Sequence, residues 1–265
     1  MLDSILISIL WLGGLGLIFG AVLAYAAKKF EVPVDPKIQQ IKDLLPGANC
    51  GACGYAGCDD LARAINSGEA KASVCSAMSG DKLAEISKLT GVNSGDAQKK
   101  KAVVMCSGVG DLSKRKFKYH GIENCREAMI VMQGDKVCEF GCMGYGTCVK
   151  ACPSNAIKID HKSGQVKVDE SKCTGCGICE KACPKKIIKL IPADQKVQVF
   201  CKSIRKGKES KEICSASCIG CGICEKQCKF DAIKMVDNLP VIDFEKCTNC
   251  GACTEKCPTK AIRKI

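Results

Sequence analysis

Cysteine is the residue that could do chemistry in this chain, and it recurs at fixed spacing. Three tight runs are Cys173-x2-Cys176-x2-Cys179-x3-Cys183-Pro184, Cys218-x2-Cys221-x2-Cys224-x3-Cys228 and Cys247-x2-Cys250-x2-Cys253-x3-Cys257-Pro258. A looser one precedes them, Cys138-x3-Cys142-x5-Cys148-x3-Cys152-Pro153. Three thiolates on one short loop fit three corners of a cubane iron–sulfur cluster. A disulfide framework has no reason to repeat that spacing, and disulfide-dense domains are usually small and secreted.

The spacing C-x2-C-x2-C-x3-C-P is that of bacterial two-cluster ferredoxins, whose fourth cysteine ligates the other cluster of the pair. The first three thiolates share a loop, and the fourth starts a helix that faces the neighbouring cluster. The expected sets are Cys173, Cys176, Cys179 with Cys152, and Cys138, Cys142, Cys148 with Cys183. In the second module they are Cys218, Cys221, Cys224 with Cys257, and Cys247, Cys250, Cys253 with Cys228. The wider gaps in the first run put its loop geometry in question. Lys229, where the other runs have Pro, removes a helix-start preference and no ligand.

Upstream, Cys50, Cys53, Cys58 and Cys75 follow C-x2-C-x4-C-x16-C in a glycine-rich loop. This is a fifth expected [4Fe–4S] site, with zinc as the alternative because four cysteines also suit that ion. Cys106, Cys125, Cys201 and Cys214 remain. Ala102 to Met105 runs into Cys106 as Val197 to Phe200 runs into Cys201, so the two segments resemble a repeat. A sixth cluster on these four is one expectation, and buried structural thiols the other.

Other chemistry is thinly represented. Gly108-Val-Gly110 lacks the third glycine of a dinucleotide loop. His120 and His161 are isolated, and no catalytic residue is expected. The basic runs Lys114 to Lys118 and Lys202 to Lys211 suit either solvated loops or the docking of an acidic redox partner.

The elements that position these residues can also be read. Ala156-Ile157-Lys158-Ile159, Ile187-Ile188-Lys189-Leu190, Ala232-Ile233-Lys234-Met235 and Ala261-Ile262-Arg263 follow the four runs and read as strands. Val166 to Val168 and Val241 to Ile242 read as strands entering a run. The unit is strand, cluster loop, helix, strand, taken twice per module. Asp35-Pro36 caps a helix with an apolar face of Ile38, Ile41, Leu44 and Leu45, ended by Pro46-Gly47. Helical patterns continue at Leu61 to Ile65 and Leu83 to Leu89. Val32 to Pro36 and Asn93 to Lys101 read as linkers.

Ser4 to Ala27 is an uncharged, mostly apolar run that spans about 36 Å as a helix, enough for a bilayer. Lys28 and Lys29 place the remainder of the chain in the cytoplasm by the positive-inside rule. No positive n-region precedes the run, which favours a retained anchor over a cleaved signal. Gly16, Gly20 and Ala24 form a small-residue stripe suited to close helix packing. The fold class expected is α+β: one transmembrane helix, a small helical Fe–S domain and two two-cluster ferredoxin modules. The boundaries fall at 1–30, 34–93, 100–192 and 193–265.

Composition agrees. The chain has 265 residues, 24 of them Cys, with aromatics at only 5%. A single catalytic thiol needs no such number, and 46% hydrophobic content excludes disorder. The net charge is +12. Four-thiolate cubanes carry about −2 each, so six would cancel it. The basic balance therefore does not point to nucleic acid.

The order anchor, C-x2-C-x4-C-x16-C domain, ferredoxin modules, with Leu-Pro-Gly-Ala-Asn-Cys-Gly-Ala-Cys-Gly-Tyr-Ala-Gly-Cys at 45–58, resembles the B subunits of Rnf electron-transport complexes. The two modules resemble the family's longer form. The resemblance implies a membrane-bound ferredoxin:NAD+ oxidoreductase that couples electron flow to Na+ or H+ translocation. The B subunit would take electrons from reduced ferredoxin and pass them to membrane subunits, with flavin and nicotinamide sites on other subunits. The rivals are an iron–sulfur subunit of another membrane oxidoreductase, such as a hydrogenase, and a structural zinc protein.

Overall fold

A computed structural model describes residues 2–30, 35–78, 80–92, 99–160 and 163–265. Most of the linker at 32–36, most of that at 93–101, and His161 lie outside the described residues. The chain opens with α1 (Leu2–Lys29), ending on Lys28 and Lys29. Its described side chains lie mostly exposed, Trp11 at 70% and Leu17 at 78% among them. An apolar helix left bare by the rest of the protein is suited to lipid, and Leu10–Lys29 is long and apolar enough to cross a membrane.

Three short helices follow: α2 (Pro36–Leu44), α3 (Cys58–Asn66) and α4 (Gly80–Thr90). Asp35 caps α2 by accepting from the Lys37 N–H at 2.9 Å, as the Asp-Pro pair predicts. Ile41 of α2 and Leu45 at its end pack with Leu61 and Ile65 from α3 and Leu83 and Ile86 from α4. This small core holds the loop at 47–57 that carries the first cysteines.

Beyond it the chain builds one unit twice. The first copy contains β1 (Lys100–Val104), α5 (Cys125–Ile130), α6 (Thr147–Lys150), β2 (Ile157–Asp160), β3 (Gln165–Val168), α7 (Ile178–Ala182) and β4 (Ile188–Pro192). The second contains β5 (Val197–Val199), α8 (Gly207–Ile213), α9 (Ile223–Lys226), β6 (Ile233–Val236), β7 (Leu239–Ile242), α10 (Ala252–Glu255) and β8 (Ile262–Lys264). Each copy has two antiparallel pairs: β1 with β4 and β2 with β3, then β5 with β8 and β6 with β7. The strands expected after each cysteine run are present. The apolar runs before Cys106 and Cys201 are also strands, closing each module against its last strand. Met105 N–H donates to the Ile187 carbonyl and Phe200 N–H to the Ala261 carbonyl, both at 2.7 Å, so the two closures match.

Each module has its own apolar centre, Val104, Ile157, Val166 and Ile188 in one and Val197, Ile233, Ile242 and Ile262 in the other. Cysteines line both centres. With so few aromatics, these clusters are small, and thiol-lined cavities occupy space that a larger core would fill.

Candidate iron–sulfur centres

The short helices α6, α7, α9 and α10 each start after a glycine in the left-handed region: Gly146, Gly177, Gly222 and Gly251. A left-handed residue turns the loop back sharply, which glycine allows at little cost. The turn carries the loop thiols to one side and starts the helix whose end bears the fourth cysteine. All 24 cysteines are free, and shared cavities or mutual electrostatic fields associate them in sets of four.

Site 1 is Cys50, Cys53, Cys58 and Cys75, which line one cavity. Asn49 Oδ1 accepts from the Cys58 N–H at 2.8 Å, which folds the loop onto the start of α3. Burial pushes the Cys75 thiol up, and the Cys53, Cys58 and Cys50 sulfurs add to it. Site 2 is Cys152, Cys173, Cys176 and Cys179. Burial pushes Cys179 up to about 12, and the other three thiols of the group contribute. Burial also acts upward on Cys152, but hydrogen bonds from Ser154 and Ala156 outweigh it and leave that thiol lowered.

Site 5 is Cys218, Cys221, Cys224 and Cys257, which line one cavity. Site 6 is Cys228, Cys247, Cys250 and Cys253, where burial and then the Cys247, Cys250 and Cys228 sulfurs push Cys253 up to about 11. Backbone and amide donors reach several of these sulfurs. Ala102 N–H donates to Cys173 at 3.4 Å, Ala156 N–H to Cys152 at 3.3 Å and Ala232 N–H to Cys228 at 3.4 Å. Buried Gln195 donates from Nε2 to Cys247 at 3.3 Å. Such donors favour thiolate and tune the potential of a bound cluster. Gln195 carried no signal in the sequence, since its partner lies 52 positions away.

The remaining two groups differ from the spacing-based expectation. Site 3 gathers Cys125 with Cys142, Cys148 and Cys183 around one cavity. Site 4 gathers Cys138 with Cys106, Cys201 and Cys214 around a second. Cys125 and Cys138 have thus changed places. The wider gaps on either side of Cys142 lengthen the first loop, and a turn closed by Gly141 N–H on the Cys138 carbonyl sends Cys138 to the far side. Asn124 caps α5, and Thr147 Oγ1 accepts from the Cys125 N–H at 2.8 Å while donating to Asn124 at 2.9 Å. That network delivers Cys125 to the vacated corner of site 3. Burial pushes Cys148 up to about 11, with Cys125 the next contributor, and Cys138 to about 11, with Cys106, Cys201 and Cys214 contributing.

The six groups stand in single file. Cys176 of site 2 lines the site 1 cavity, and Lys181 Nζ donates to the Ala52 carbonyl across that contact at 3.4 Å. Cys148 of site 3 acts on Cys179 of site 2. Cys142 N–H of site 3 donates to Cys106 Sγ of site 4 at 3.3 Å. Cys201 of site 4 acts on Cys218 of site 5, and Cys253 of site 6 on Cys224 of site 5.

The donor sets fit [4Fe–4S] clusters: four thiols each, around a cavity or in one another's field, with N–H donors aimed at sulfur. Gly108 is no phosphate loop, because a Cβ there would meet Cys214 Sγ at 2.8 Å. His120 is exposed. Much of the basic surface is already engaged: Arg115 pairs with Asp135, Arg205 with Glu139 and Glu209, and Lys202 Nζ donates to the Lys186 carbonyl.

Ferredoxin-type modules carrying thiol groups of this kind define a multi-centre iron–sulfur electron-transfer protein. Family models agree: one for an Fe-S cluster domain matches residues 45–76, a 4Fe-4S dicluster domain matches 137–187, and a 4Fe-4S binding domain matches 215–234 and 240–263. The chain is 45% identical over 93% of its length, and 74% of the relative's, to the B subunit of the Na(+)-translocating ferredoxin:NAD(+) oxidoreductase complex of Acetobacterium woodii. It is 40% identical to the B subunit of the ion-translocating oxidoreductase complex of Methanosarcina acetivorans, over 98% of this chain and 99% of that one. The B subunit of the proton-translocating ferredoxin:NAD(+) oxidoreductase complex of Clostridium ljungdahlii is 41% identical over 86% and 81%. The chain belongs to this family of B subunits of ion-translocating oxidoreductase complexes. It is an iron–sulfur electron-transfer subunit associated with the membrane.

Proposed function

We propose that this chain accepts electrons from reduced ferredoxin and passes them to partner membrane subunits of an Na+- or H+-translocating ferredoxin:NAD+ oxidoreductase. The single-file order of the cysteine groups carries the reading. A bound [4Fe–4S] cluster supplies a one-electron carrier at each group. Cys50, Cys53, Cys58 and Cys75 would hold the one at the membrane end. Cys152, Cys173, Cys176 and Cys179, then Cys125, Cys142, Cys148 and Cys183, would hold the next two. Cys218, Cys221, Cys224 and Cys257 would hold another, and Cys228, Cys247, Cys250 and Cys253 the outermost.

The chain's own residues orient and insulate these groups. The small apolar cores exclude water from one side of each site, and the N–H donors hold the sulfurs as acceptors. Cys221 and Cys250 are exposed at sites 5 and 6, as Cys50 is at site 1, and in this reading a soluble ferredoxin approaches the C-terminal pair. The anchor precedes site 1, so the opposite end lies nearest the bilayer in sequence. Lys28 and Lys29 support a cytoplasmic location for everything after the helix. In this reading the flavin and nicotinamide sites belong to other subunits.

Replacing Cys58 with Ala should leave the distal centres reducible by ferredoxin while transfer to the membrane subunits falls at least tenfold. Rapid-mixing spectroscopy of the assembled complex measures both. Undiminished transfer to the membrane subunits would sink this direction of flow.

A further inference from the structure

The two modules repeat closely, and one paired exchange separates them where each first strand begins. Counted back from Cys106 and Cys201, Lys100 of the first module corresponds to Gln195 of the second. Counted forward from Cys173 and Cys247, Gly175 corresponds to Asn249. We infer that Gln195, held in place by Asn249, sets the reduction potential of the centre at Cys228, Cys247, Cys250 and Cys253. The inference rests on the reading of that group as an iron–sulfur centre.

In the first module the strand entrance lies directly on the cysteine loop. A Cβ on Gly175 would collide with the Lys100 carbonyl, and its φ of 68° also suits glycine. Lys100 itself is exposed, and the donor to Cys173 is a main-chain group, the Ala102 N–H. In the second module the loop carries Asn249 at φ 59°, a left-handed value that asparagine tolerates. Its side chain reaches across to the strand entrance. Oδ1 accepts from the Lys196 N–H at 2.9 Å, and Nδ2 donates to the Asp194 carbonyl at 3.3 Å. These two bonds flank Gln195 and clamp its backbone to the loop.

Gln195 is 2% exposed, and a buried amide is costly without hydrogen-bond partners. Its Nε2 donates to the Val197 carbonyl at 2.9 Å and to Cys247 Sγ at 3.3 Å. The Val197 carbonyl decides which end of the amide lies there, because it can only accept. The nitrogen must face that carbonyl, and so it must also face the sulfur. One electron from the donor protein would take a four-thiolate site from a charge of about −2 to about −3, with no bond made or broken. A hydrogen bond to sulfur strengthens as that charge grows, so Gln195 favours the reduced form and raises the potential. The outermost centre is thereby tuned by a side chain, where the matching sulfur of the first module receives main chain.

The test is redox titration of the full chain, purified anaerobically, followed by electron paramagnetic resonance, with iron counted in every preparation. The signal lost in Cys250→Ala identifies the centre. In Gln195→Leu the reduced-to-oxidised ratio of that centre, at a fixed ambient potential, should fall by a factor of about 2 to 10, the worth of one hydrogen bond. Asn249→Gly gives the loop the first module's residue at a φ that glycine accepts. It should lower the same ratio by loosening Gln195. Retained iron with an unchanged ratio in Gln195→Leu would overturn the inference. Should that variant fail to hold the centre, Asn249→Gly decides alone, and an unchanged ratio there overturns it. Iron and signals both unaltered in Cys250→Ala would instead overturn the reading of this group as a centre.

Discussion

Lys136 is a buried cation near the Cys142 and Cys214 sulfurs; burial pushes both thiols up, and the lysine charge opposes that rise. A positive charge stabilises an added electron nearby. Lys136→Met should make the potential of the adjacent centre more negative, on the order of tens of millivolts. Redox titration followed by electron paramagnetic resonance would read that shift, and an unchanged potential would remove the lysine from the site's electrostatics. The thiols make a second prediction. In the cluster-free protein, burial first and neighbouring sulfurs second raise Cys179 to about 12 and Cys148 to about 11, from an ordinary value of 9.0. The folded state therefore holds protons that unfolded thiols release. Its stability is present below about pH 9 and is lost as pH rises toward the folded values. Urea midpoints of the cluster-free protein should drop between about pH 8 and about pH 10 by more than those of the loaded protein, whose sulfurs no longer titrate. The loops that bring consecutive thiols together at sites 1, 2, 5 and 6 were legible in the spacing. The exchange of Cys125 and Cys138 was not, because it is decided by a turn at Gly141 and a hydrogen-bond network around Thr147, contacts that no spacing records.

The short strands and helices repeat with more fidelity than the residues that build them. Asn155, Lys186, Asp231 and Lys260, each three residues past a fourth cysteine, all adopt φ of 51 to 53°. Asparagine and aspartate tolerate this left-handed backbone, whereas lysine does so at some cost and a β-branched residue at more. Asn155 is exposed, so its replacement tests the backbone alone. Asn155→Val should destabilise the first module by about 1–2 kcal/mol, seen as an earlier anaerobic loss of visible absorption in urea. No change would mean that the loop relaxes to another turn. Six of the eight strands were legible from β-branched runs beside the cysteine motifs. The strands β1 and β5 read only as apolar runs, because each pairs with the far end of its module. Pairing over that distance leaves no local signature.

At the scale of the molecule, the described side chains of α1 contribute nothing to the three apolar cores. Removing residues 1–30 should shift the protein from the membrane to the soluble fraction with its iron content unchanged, as fractionation and iron analysis would show. Loss of iron would instead tie the anchor to the folding of site 1. The file of sites crosses from the first module to the second at one cavity, and that cavity borrows two side chains from each. The order in which a ribosome releases the chain then matters. Cys106 and Cys138 leave the exit tunnel as an unfinished pair while their own module can already fold and be loaded. Their partners Cys201 and Cys214 arrive only with the second module. The junction is thus the last part of the first module to be completed, and a product cut short before residue 201 would carry the thiols of sites 1, 2 and 3 and only half of those at the junction.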